Sequence, residues 1–259
     1  MKNEKSSLSP ESDLRPVMNG LLTTLSHDLR TPLSTIAGWL FMLESDKLDA
    51  AGKKRALEKI RANIQSQVRL IDDVLLLSRC MTGHLQIVAA PISPLELLNA
   101  AMENVRATAT AGLVGVPSVM LGDSAMVMAD EALLGRVLDI LLRHAIDATP
   151  KGKAIAVAMD VQGGQVSVTI ADEGNVLSAD ALAKLFDAFS EDDGASGRVH
   201  ADDARNLMLA KMLVERQGGQ LRASCGDEVS EGAGITFTLS FPSVDAKVAL
   251  APNRDQLAQ

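Results

Sequence analysis

The sequence is poor in aromatic residues and in cysteine, and both shortages limit what the protein can be. Of its 259 residues only 2% are aromatic and none is tyrosine, so a hydrophobic core must be built from aliphatic side chains and methionine. The two cysteines, Cys80 and Cys225, are too few and too far apart in sequence for a disulfide framework or a zinc site. Such sparse use of cysteine favours a reducing, cytoplasmic compartment.

Long apolar runs and an excess of positive charge are also missing. No apolar run approaches the ~18 residues that a membrane span needs, and the polar start of the chain, residues 1–12, is not that of a signal peptide. The formal net charge of -8 argues against a nucleic-acid partner, which favours a basic patch. With 47% hydrophobic residues the chain is long enough for two small domains with a sizeable core.

Apolar spacing near the start of the chain predicts a helical hairpin. Residues 1–12 are expected to be disordered; a first helix is predicted over about 13–45, a turn over 46–52 and a second helix over about 53–81. Because one hairpin buries too little apolar surface, we expect two copies to form a dimeric four-helix bundle; the alternative is a hairpin packed on the rest of its own chain. The near-heptad seam of the second helix comprises Leu57, Ile60, Ile64, Val68, Ile71, Val74 and Leu75.

After a linker marked by Gly83 and Ala89–Pro91, the pattern changes to mixed helix and strand. Helices on one face of a mixed sheet predict an α+β domain, followed from residue 244 by a flexible tail. The predicted helices cover about 94–108, 130–148 (capped by Asp130), 178–188 and 202–217, with a loop over 190–201. The predicted strands cover about 118–122, 126–129, 154–161, 165–171, 220–224 and 235–241, with a hairpin turn at Gly163–Gly164.

The stretch Ser26–Leu33 combines a histidine, an acid and a hydroxyl on the first predicted helix. The neighbours of His27 at helical spacing are polar, among them Arg30 and Thr31, so we expect its imidazole to face solvent. Asp28 beside it can orient the ring and take its proton, which would make His27 a nucleophile. Pro32 is expected to kink the helix.

These eight residues resemble the phosphoacceptor box of sensor histidine kinases, Ser-His-Glu/Asp-Leu-Arg-Thr-Pro-Leu, and match it at every position. The resemblance implies that His27 is the phosphoacceptor, with Asp28 as the general base that orients the ring. It also implies that Asp28 and Thr31 together support dephosphorylation of a partner response regulator, with Thr31 positioning the attacking water.

The second domain resembles the GHKL-type ATPase domain of the same family, an α/β sandwich. The resemblance implies that Asp172 accepts a hydrogen bond from the adenine amino group and that Gly174 lets the backbone approach the base. The resemblance thus implies that Asp172, Gly174 and Thr236 are the remaining residues of a vestigial nucleotide-binding site. The stretches that carry the resemblance are Asp130, Asp172–Gly174, Leu185–Phe189, Lys211 with Gly218–Gly219, and Gly232–Phe237. The domains would then cover 13–82, the phosphotransfer hairpin, and 87–243, the degenerate ATPase domain.

Four family features on the phosphate and metal side are missing from this domain. His144 replaces the second asparagine of the family's asparagine box, which ligates Mg²⁺, and imidazole suits that metal poorly. Asp147 replaces a lysine near the phosphates. Val176 replaces the second glycine of the first glycine box, and residues 204–207 lack the glycines of the phosphate lid.

The sequence therefore predicts a histidine-kinase-type phosphotransfer protein whose ATP site is weakened or lost. His27 would exchange a phosphoryl group with the aspartate of a response-regulator receiver domain, and no cofactor or metal site of this chain would be required. Two alternatives stay open: an ordinary ATP-dependent sensor kinase that uses Mg-ATP, and a non-enzymatic dimeric scaffold that docks a regulator or a kinase. His84, His144 and His200 lack partners at metal-ligand spacing, and we assign them no chemistry.

Overall fold

The computed structural model of the chain describes residues 29–45, 48–116, 125–187, 201–226 and 234–244, with the backbone alone for residues 201 and 202. The described residues divide after Ser78 into two compact units. His27 and Asp28 lie outside the described residues, as do the predicted strand over 118–122 and most of the predicted loop over 190–201.

Two helices make up the first unit. Helix α1 comprises residues 29–44, and α2 spans Ala50–Met81. The side-chain amide of Gln67 donates a hydrogen bond of 2.9 Å to the carbonyl of Leu29, which ties α2 to α1 and completes the predicted hairpin. α2 begins at Ala50 instead of residue 53 because the Asp49 carboxylate accepts a hydrogen bond of 2.7 Å from the N–H of Gly52. This bond satisfies an amide of the first turn that has no partner within the helix.

The apolar seam of α2 is largely uncovered in a single chain. Leu57 is 59% exposed and Val68 53% exposed. The other exposed large apolar residues of the two helices are Leu33, Leu40, Phe41, Met42, Ile64, Ile71 and Leu75. Among the described helices, none combines the length and the apolar character needed to cross a membrane.

A six-stranded sheet forms one layer of the second unit. The strands are β1 (Ala90–Ile92), β2 (Met126–Ala129), β3 (Ala156–Gln162), β4 (Gln165–Ala171), β5 (Gln220–Cys225) and β6 (Ile235–Val244). Their order in the sheet is β1-β2-β6-β4-β3. β2 pairs with the end of the long strand β6, and β5 pairs with the part of β6 before it. All of these strand pairs are antiparallel, which corrects the expectation of a mixed sheet.

Helices cover one face of this sheet and form the second layer. They are α3 (Pro94–Gly112), α4 (Glu131–Ala148), the short α5 (Ala179–Ala183) and α6 (Ala201–Arg216). α4 lies between α3 and α6 and packs against both. Because side chains alternate along a strand, one face of the sheet is apolar and buried beneath the helices. The buried residues of β3, β4 and β6 are Val157, Met159, Val166, Val168, Ile170, Ile235, Phe237, Leu239 and Phe241.

Strand β1 was not predicted, because its sequence Ala90-Pro91-Ile92 has the composition of a linker. It pairs with β2, with Pro91 opposite Met128. Proline is tolerated there because β1 is an edge strand of the sheet, and an edge strand has one side without ladder hydrogen bonds.

Element ends differ from prediction at three further places. α3 continues to Gly112, where Leu113 takes a left-handed conformation with φ of 59° and its N–H caps the last turn. α5 ends at Ala183 and residues 184–186 form a turn, whereas a helix to residue 188 was predicted. Ala154 forms an isolated bridge with Gly115 instead of opening β3.

Candidate functional site

Asp172, directly after β4, ties the end of this strand to the start of β6. Its Oδ1 accepts hydrogen bonds from the backbone N–H of Gly174 at 2.8 Å and of Ile235 at 3.2 Å. The two backbones are joined as well, since the N–H of Asp172 donates to the carbonyl of Ile235 and that of Gly234 to the carbonyl of Asp172. The side chain is buried, with 3% of the residue exposed. One carboxylate oxygen therefore holds the turn.

Gly174 and Gly234 are required by this close approach of backbone to carboxylate. A Cβ on Gly174 would lie 2.8 Å from the carbonyl oxygen of Ala148 and 2.9 Å from Asp172 Oδ1. A Cβ on Gly234 would overlap Asp172 Oδ1 and come within 2.6 Å of the Gly174 nitrogen. Both glycines are thus explained by the packing around Asp172, before any ligand is considered.

The second carboxylate oxygen, Asp172 Oδ2, is buried and has no hydrogen-bond partner among the described residues. Burial raises the pKa of this carboxyl, while the hydrogen bonds from Gly174 and Ile235 and the nearby charge of His144 lower it. A buried acceptor without a donor is energetically costly. Oδ2 is therefore suited to accept a hydrogen bond from a ligand, as predicted for the adenine amino group.

His144 lies on α4 beside this carboxylate. Its Nε2 is buried and has no hydrogen-bond partner among the described residues. The imidazole meets the ring of Phe237 edge-on, with centroids 5.3 Å apart and an interplanar angle of 84°. Sequence reasoning assigned this histidine no chemistry, and only its replacement of the asparagine pointed to the site. We call the group of Asp172, Gly174, His144 and Phe237 the Asp172 site.

Acidic residues occupy the neighbouring end of α4. The side chain of Asp147, one turn after His144, is exposed; partial desolvation and the carboxylate of Asp203 raise its pKa, while Arg143 and His144 lower it. The Nε of Arg143 donates a hydrogen bond of 2.8 Å to Asp139, so part of its charge is already neutralised. The carboxylates of Asp147 and Asp203 therefore affect each other at this end of α4.

Aromatic rings link the Asp172 site to the residues after α5. The ring of Phe186 lies edge-on to Phe237 with centroids 6.4 Å apart, and the ammonium of Lys211 lies 5.1 Å from the Phe186 centroid. A cation at this distance is attracted to the face of the ring. Phe186 and Lys211 thus stabilise the wall of the site, which sequence reasoning identified only as family scaffold.

Thr236 lies on the other face of the sheet. Its neighbours Ile235 and Phe237 are buried beneath the helices, so the alternation of β6 directs Thr236 to the opposite side. There it stands between Ala171 and Ser224 on the adjacent strands. The structure brings Asp172 and Gly174 together but not Thr236, and Ile235 is the residue whose N–H reaches Asp172.

Of the predicted phosphotransfer residues, only Thr31 belongs to the described part of the chain. It lies on α1 with its side chain exposed, and its carbonyl accepts a hydrogen bond of 3.1 Å from the Thr35 hydroxyl. The carbonyl of Leu29, two residues after His27, is the one held by Gln67 of α2. The local backbone that follows His27 is therefore anchored within the hairpin.

The residues of the Asp172 site fit the base of an adenine nucleotide but not its magnesium. Asp172 Oδ2 is a free acceptor for an amino group, and the two glycines let backbone approach closely. In place of the asparagine whose amide oxygen the family uses, the described helix α4 carries the imidazole of His144, and Mg²⁺ prefers oxygen donors. Among the described residues, no cluster of three or more histidine, cysteine or acidic side chains could hold a metal ion.

Family models match both units of the chain. Residues 17–83 match the His Kinase A (phospho-acceptor) domain, and residues 129–245 match the histidine kinase-, DNA gyrase B-, and HSP90-like ATPase. Among curated proteins, the chain is 29% identical over 229 residues to the sensor protein DivL of Caulobacter vibrioides and 27% identical over 235 residues to the sensor protein GacS of Pseudomonas syringae. These alignments cover 88% and 87% of the chain but 28% and 25% of the relatives, so the chain spans about a quarter of their length.

Solved structures agree on the fold. The histidine kinase AdeS of Acinetobacter baumannii superposes with a TM-score of 0.61 at 18% identity, covering 85% of this chain and 98% of AdeS. Full-length ShkA in complex with AMPPNP gives 0.59 at 27% identity and covers 87% of this chain and 46% of ShkA. The complex of histidine kinase ThkA with response regulator protein TrrA gives a TM-score of 0.61 at 16% identity. The match covers 91% of this chain and 64% of the matched chain.

A helical hairpin followed by an antiparallel α/β sandwich defines a phosphoacceptor domain joined to a GHKL-type ATPase domain. The chain belongs to the two-component histidine kinase family.

Proposed function

We propose that this chain passes a phosphoryl group between His27 and the aspartate of a response-regulator receiver domain, and that its own ATP site is weakened or lost. The proposal keeps the bounds 13–82 for the phosphotransfer hairpin and 87–243 for the degenerate ATPase domain. The sparse cysteine content favours the cytoplasm as the place of action.

The observation that carries this proposal is a contrast between the two units. The complete box Ser26–Leu33 falls inside the matched phosphoacceptor domain, whereas the metal side of the ATPase domain has His144 in place of an amide and Asp147 in place of a lysine. ThkA, a structural neighbour, is named as a complex with a response regulator. These findings support a chain that exchanges phosphate with a regulator more strongly than one that takes it from ATP.

The transfer needs little beyond positioning. A ring nitrogen of His27 attacks the phosphorus of the regulator's aspartyl phosphate in line with the leaving carboxylate; the P–O bond breaks and the P–N bond forms. Asp28 orients the ring and takes the proton that the imidazole releases. In the reverse direction the same groups return the phosphoryl group to the aspartate, so no ATP is required at either step.

A second activity is assigned to Asp28 and Thr31. The Thr31 hydroxyl, one helical turn after His27, would hold a water molecule in line with the aspartyl phosphate, and Asp28 would take its proton. The exposed side chain of Thr31 on α1 is compatible with contact to a docked regulator. This reaction would remove phosphate from the regulator without loading His27.

A homodimer is part of the proposal. Apolar side chains of α1 and α2 remain exposed in a single chain, among them Phe41 at 71% and Leu57 at 59%. Pairing two hairpins into a four-helix bundle would bury this surface, at roughly 25 cal/mol per Å² of apolar area.

An ATP-dependent kinase is the second candidate, and one observation favours it. Asp172 Oδ2 is free to accept an adenine amino group, and ShkA, at 27% identity, is named as a complex with AMPPNP. If this candidate is correct, His27 becomes labelled from Mg-ATP alone.

The deciding experiment measures transfer of labelled phosphate from a phosphorylated receiver domain to this chain, in the absence of ATP. We expect the label to reach the wild-type chain and the His84→Ala control but not His27→Ala. Transfer to His27→Ala, or labelling of the wild type only when Mg-ATP is added, would contradict the proposal.

A further inference from the structure

The end of α2 is closed by a glycine cap. Gly83 takes a left-handed conformation with φ of 74°, and its N–H donates a hydrogen bond to the carbonyl of Cys80. The N–H of His84 donates to the carbonyl of Arg79 at 3.0 Å. These bonds satisfy carbonyls that have no partner within the helix. Gly83, which the sequence marks as part of a linker, therefore ends a helix in a defined conformation.

Arg216, the last residue of α6, supplies a further donor to the same end of α2. Its Nη2 donates a hydrogen bond of 2.7 Å to the carbonyl oxygen of Cys80. Cys80 is fully buried, so its carbonyl depends on donors from the protein. Cys80 and Arg216 both belong to the second unit, because the division of the chain falls after Ser78, inside α2. A charged donor makes this bond stronger than one between neutral groups.

Gln217, the next residue, holds the chain before β1 by way of Asp130. Its side-chain carbonyl accepts a hydrogen bond of 2.8 Å from the N–H of Asp130, and its amide donates to the carbonyl of Leu213 on α6. The Asp130 carboxylate in turn accepts a hydrogen bond of 2.9 Å from the N–H of Val88. Val88 is 76% exposed, so packing contributes little there and the hydrogen bond holds the backbone.

Two consecutive residues at the end of α6 thus bind both ends of one segment. We call residues 82–89 the connector, because they lie between α2 and β1. Six of its eight residues are exposed, so buried apolar surface does little to fix it. Segments held mainly by exposed polar bonds open locally at a lower free energy than a packed core. The position of the connector therefore depends on the hydrogen bonds at its two ends.

We propose that Arg216 and Gln217 form a latch that fixes the connector to the second unit, and that the connector is released as one piece when this latch opens. Hydrogen bonds to the end of α6 then decide whether this part of the chain is rigid, in place of its glycine and proline content. The inference concerns residues 79–90 and the second unit, and it does not depend on phosphotransfer at His27.

The buried thiol of Cys80 reports whether the latch is open. The test measures alkylation of Cys80 by iodoacetamide in the full chain carrying Cys225→Ser, since the closed latch covers the thiol. We expect Arg216→Ala to raise the rate about tenfold or more, because the Cys80 carbonyl loses its charged donor. The matched control Arg222→Ala removes a guanidinium that bonds Gln220 on β5, and should leave the rate within about twofold.

The chemistry of the thiol makes the sign of this result decisive. Burial raises the pKa of Cys80 and the charge of Arg216 lowers it. Loss of the guanidinium without opening would raise this pKa and slow alkylation, because the thiolate is the reactive form. A faster rate in Arg216→Ala therefore reports opening, and an unchanged or slower rate would overturn the latch.

Hydrogen exchange in the same variants tests release as one piece. Arg216→Ala should quicken exchange at Val88 as well as at His84, although the hydrogen bond from Arg216 is to Cys80. Exchange in the middle of α4 should stay slow, which shows that the domain remains folded. If Arg216→Ala fails to fold, Arg216→Lys, which keeps a charged donor, should give rates between those of the wild type and a released connector. Quickening at His84 alone would show two independent anchors and refute the proposal.

Discussion

Gly234 illustrates how one residue without a side chain determines the geometry of the site. Its Cβ position is already occupied by the Asp172 carboxylate, and the N–H of Gly174 lies beside it. The glycine therefore permits β4 and β6 to be joined through Asp172 Oδ1, which leaves Oδ2 for another partner.

Gly234→Ala should destabilise the ATPase domain by about 3 kcal/mol, because the new methyl group must displace the Asp172 carboxylate from two hydrogen bonds. The matched control is Gly135→Ala within α4, where the added Cβ lies 3.5 Å from Leu97 Cδ1, an ordinary contact. Removing glycine from a helix should stabilise that variant by up to ~1 kcal/mol. Denaturant unfolding measures both; similar free energies of unfolding for the two variants would refute this account.

Thr31 is the second residue with a separable role. We expect Thr31→Ala to lower dephosphorylation of the regulator about tenfold or more, because the attacking water loses a hydrogen-bond partner. Phosphorylation of His27 should be unchanged, and Thr31→Ser should restore the phosphatase activity because it keeps the hydroxyl. Release of inorganic phosphate from a phosphorylated receiver and labelling of His27 measure the two activities. Equal loss of both would show that Thr31 acts on the helix instead.

Among the elements, α4 carries His144 of the Asp172 site and begins at a cap that has a second role. Asp130 caps it, with Oδ1 accepting from the N–H of Ala132 and of Leu133 at 3.1 Å. Oδ2 of the same side chain accepts from the N–H of Val88 at 2.9 Å, in the segment before β1. Asp130, predicted as a helix cap, thus also binds the backbone of Val88 in the segment before β1.

Asp130→Ala should lower the free energy of unfolding by about 2 kcal/mol, which is the upper end of the range for the loss of a helix cap. The effect is large because the N–H of Val88 loses its acceptor as well. Glu131→Ala, at the next and exposed position, should cost a few tenths of a kcal/mol through the helix dipole alone. Denaturant titration gives the free energies, and hydrogen exchange at Val88 should quicken only in Asp130→Ala. Unchanged exchange there would contradict the double role of the carboxylate.

At the scale of the whole molecule, the exposed apolar seam of α2 is the surface that the proposed homodimer would bury. Ile64 is 48% exposed on this seam, and its neighbour Gln65 is also exposed but polar. A four-helix bundle of two hairpins would bury the first and leave the second in water.

Ile64→Lys should convert a dimer into a monomer, because an unpaired ammonium in an apolar bundle is strongly disfavoured. Gln65→Lys introduces the same charge off the seam and should remain dimeric. Light scattering after size exclusion gives the mass directly. A monomeric wild type, or an unchanged mass for Ile64→Lys, would refute the dimer.

Local patterns in the sequence were sufficient for much of the fold. The helix period of α2, the cap at Asp130 and the Gly163–Gly164 turn depend on residues a few positions apart, so sequence spacing alone predicts them. The same holds for the match of Ser26–Leu33 to the phosphoacceptor box. β1 was missed for the opposite reason, because only pairing with β2 makes a strand of Ala90-Pro91-Ile92.

The site itself depended on contacts between residues distant in sequence. The sequence determined that Asp172 and Gly174 belong together and that His144 replaces an asparagine. Only the tertiary structure decided that the N–H of Ile235, 63 residues after Asp172, donates a hydrogen bond to Asp172 Oδ1. The other carboxylate oxygen, Oδ2, has no partner among the described residues. It also decided that Thr236 faces away from the site, since the register of β6 sets which side chains point toward the helices. Spacing along the chain predicts elements, but which polar atoms remain unpaired follows only from how those elements pack.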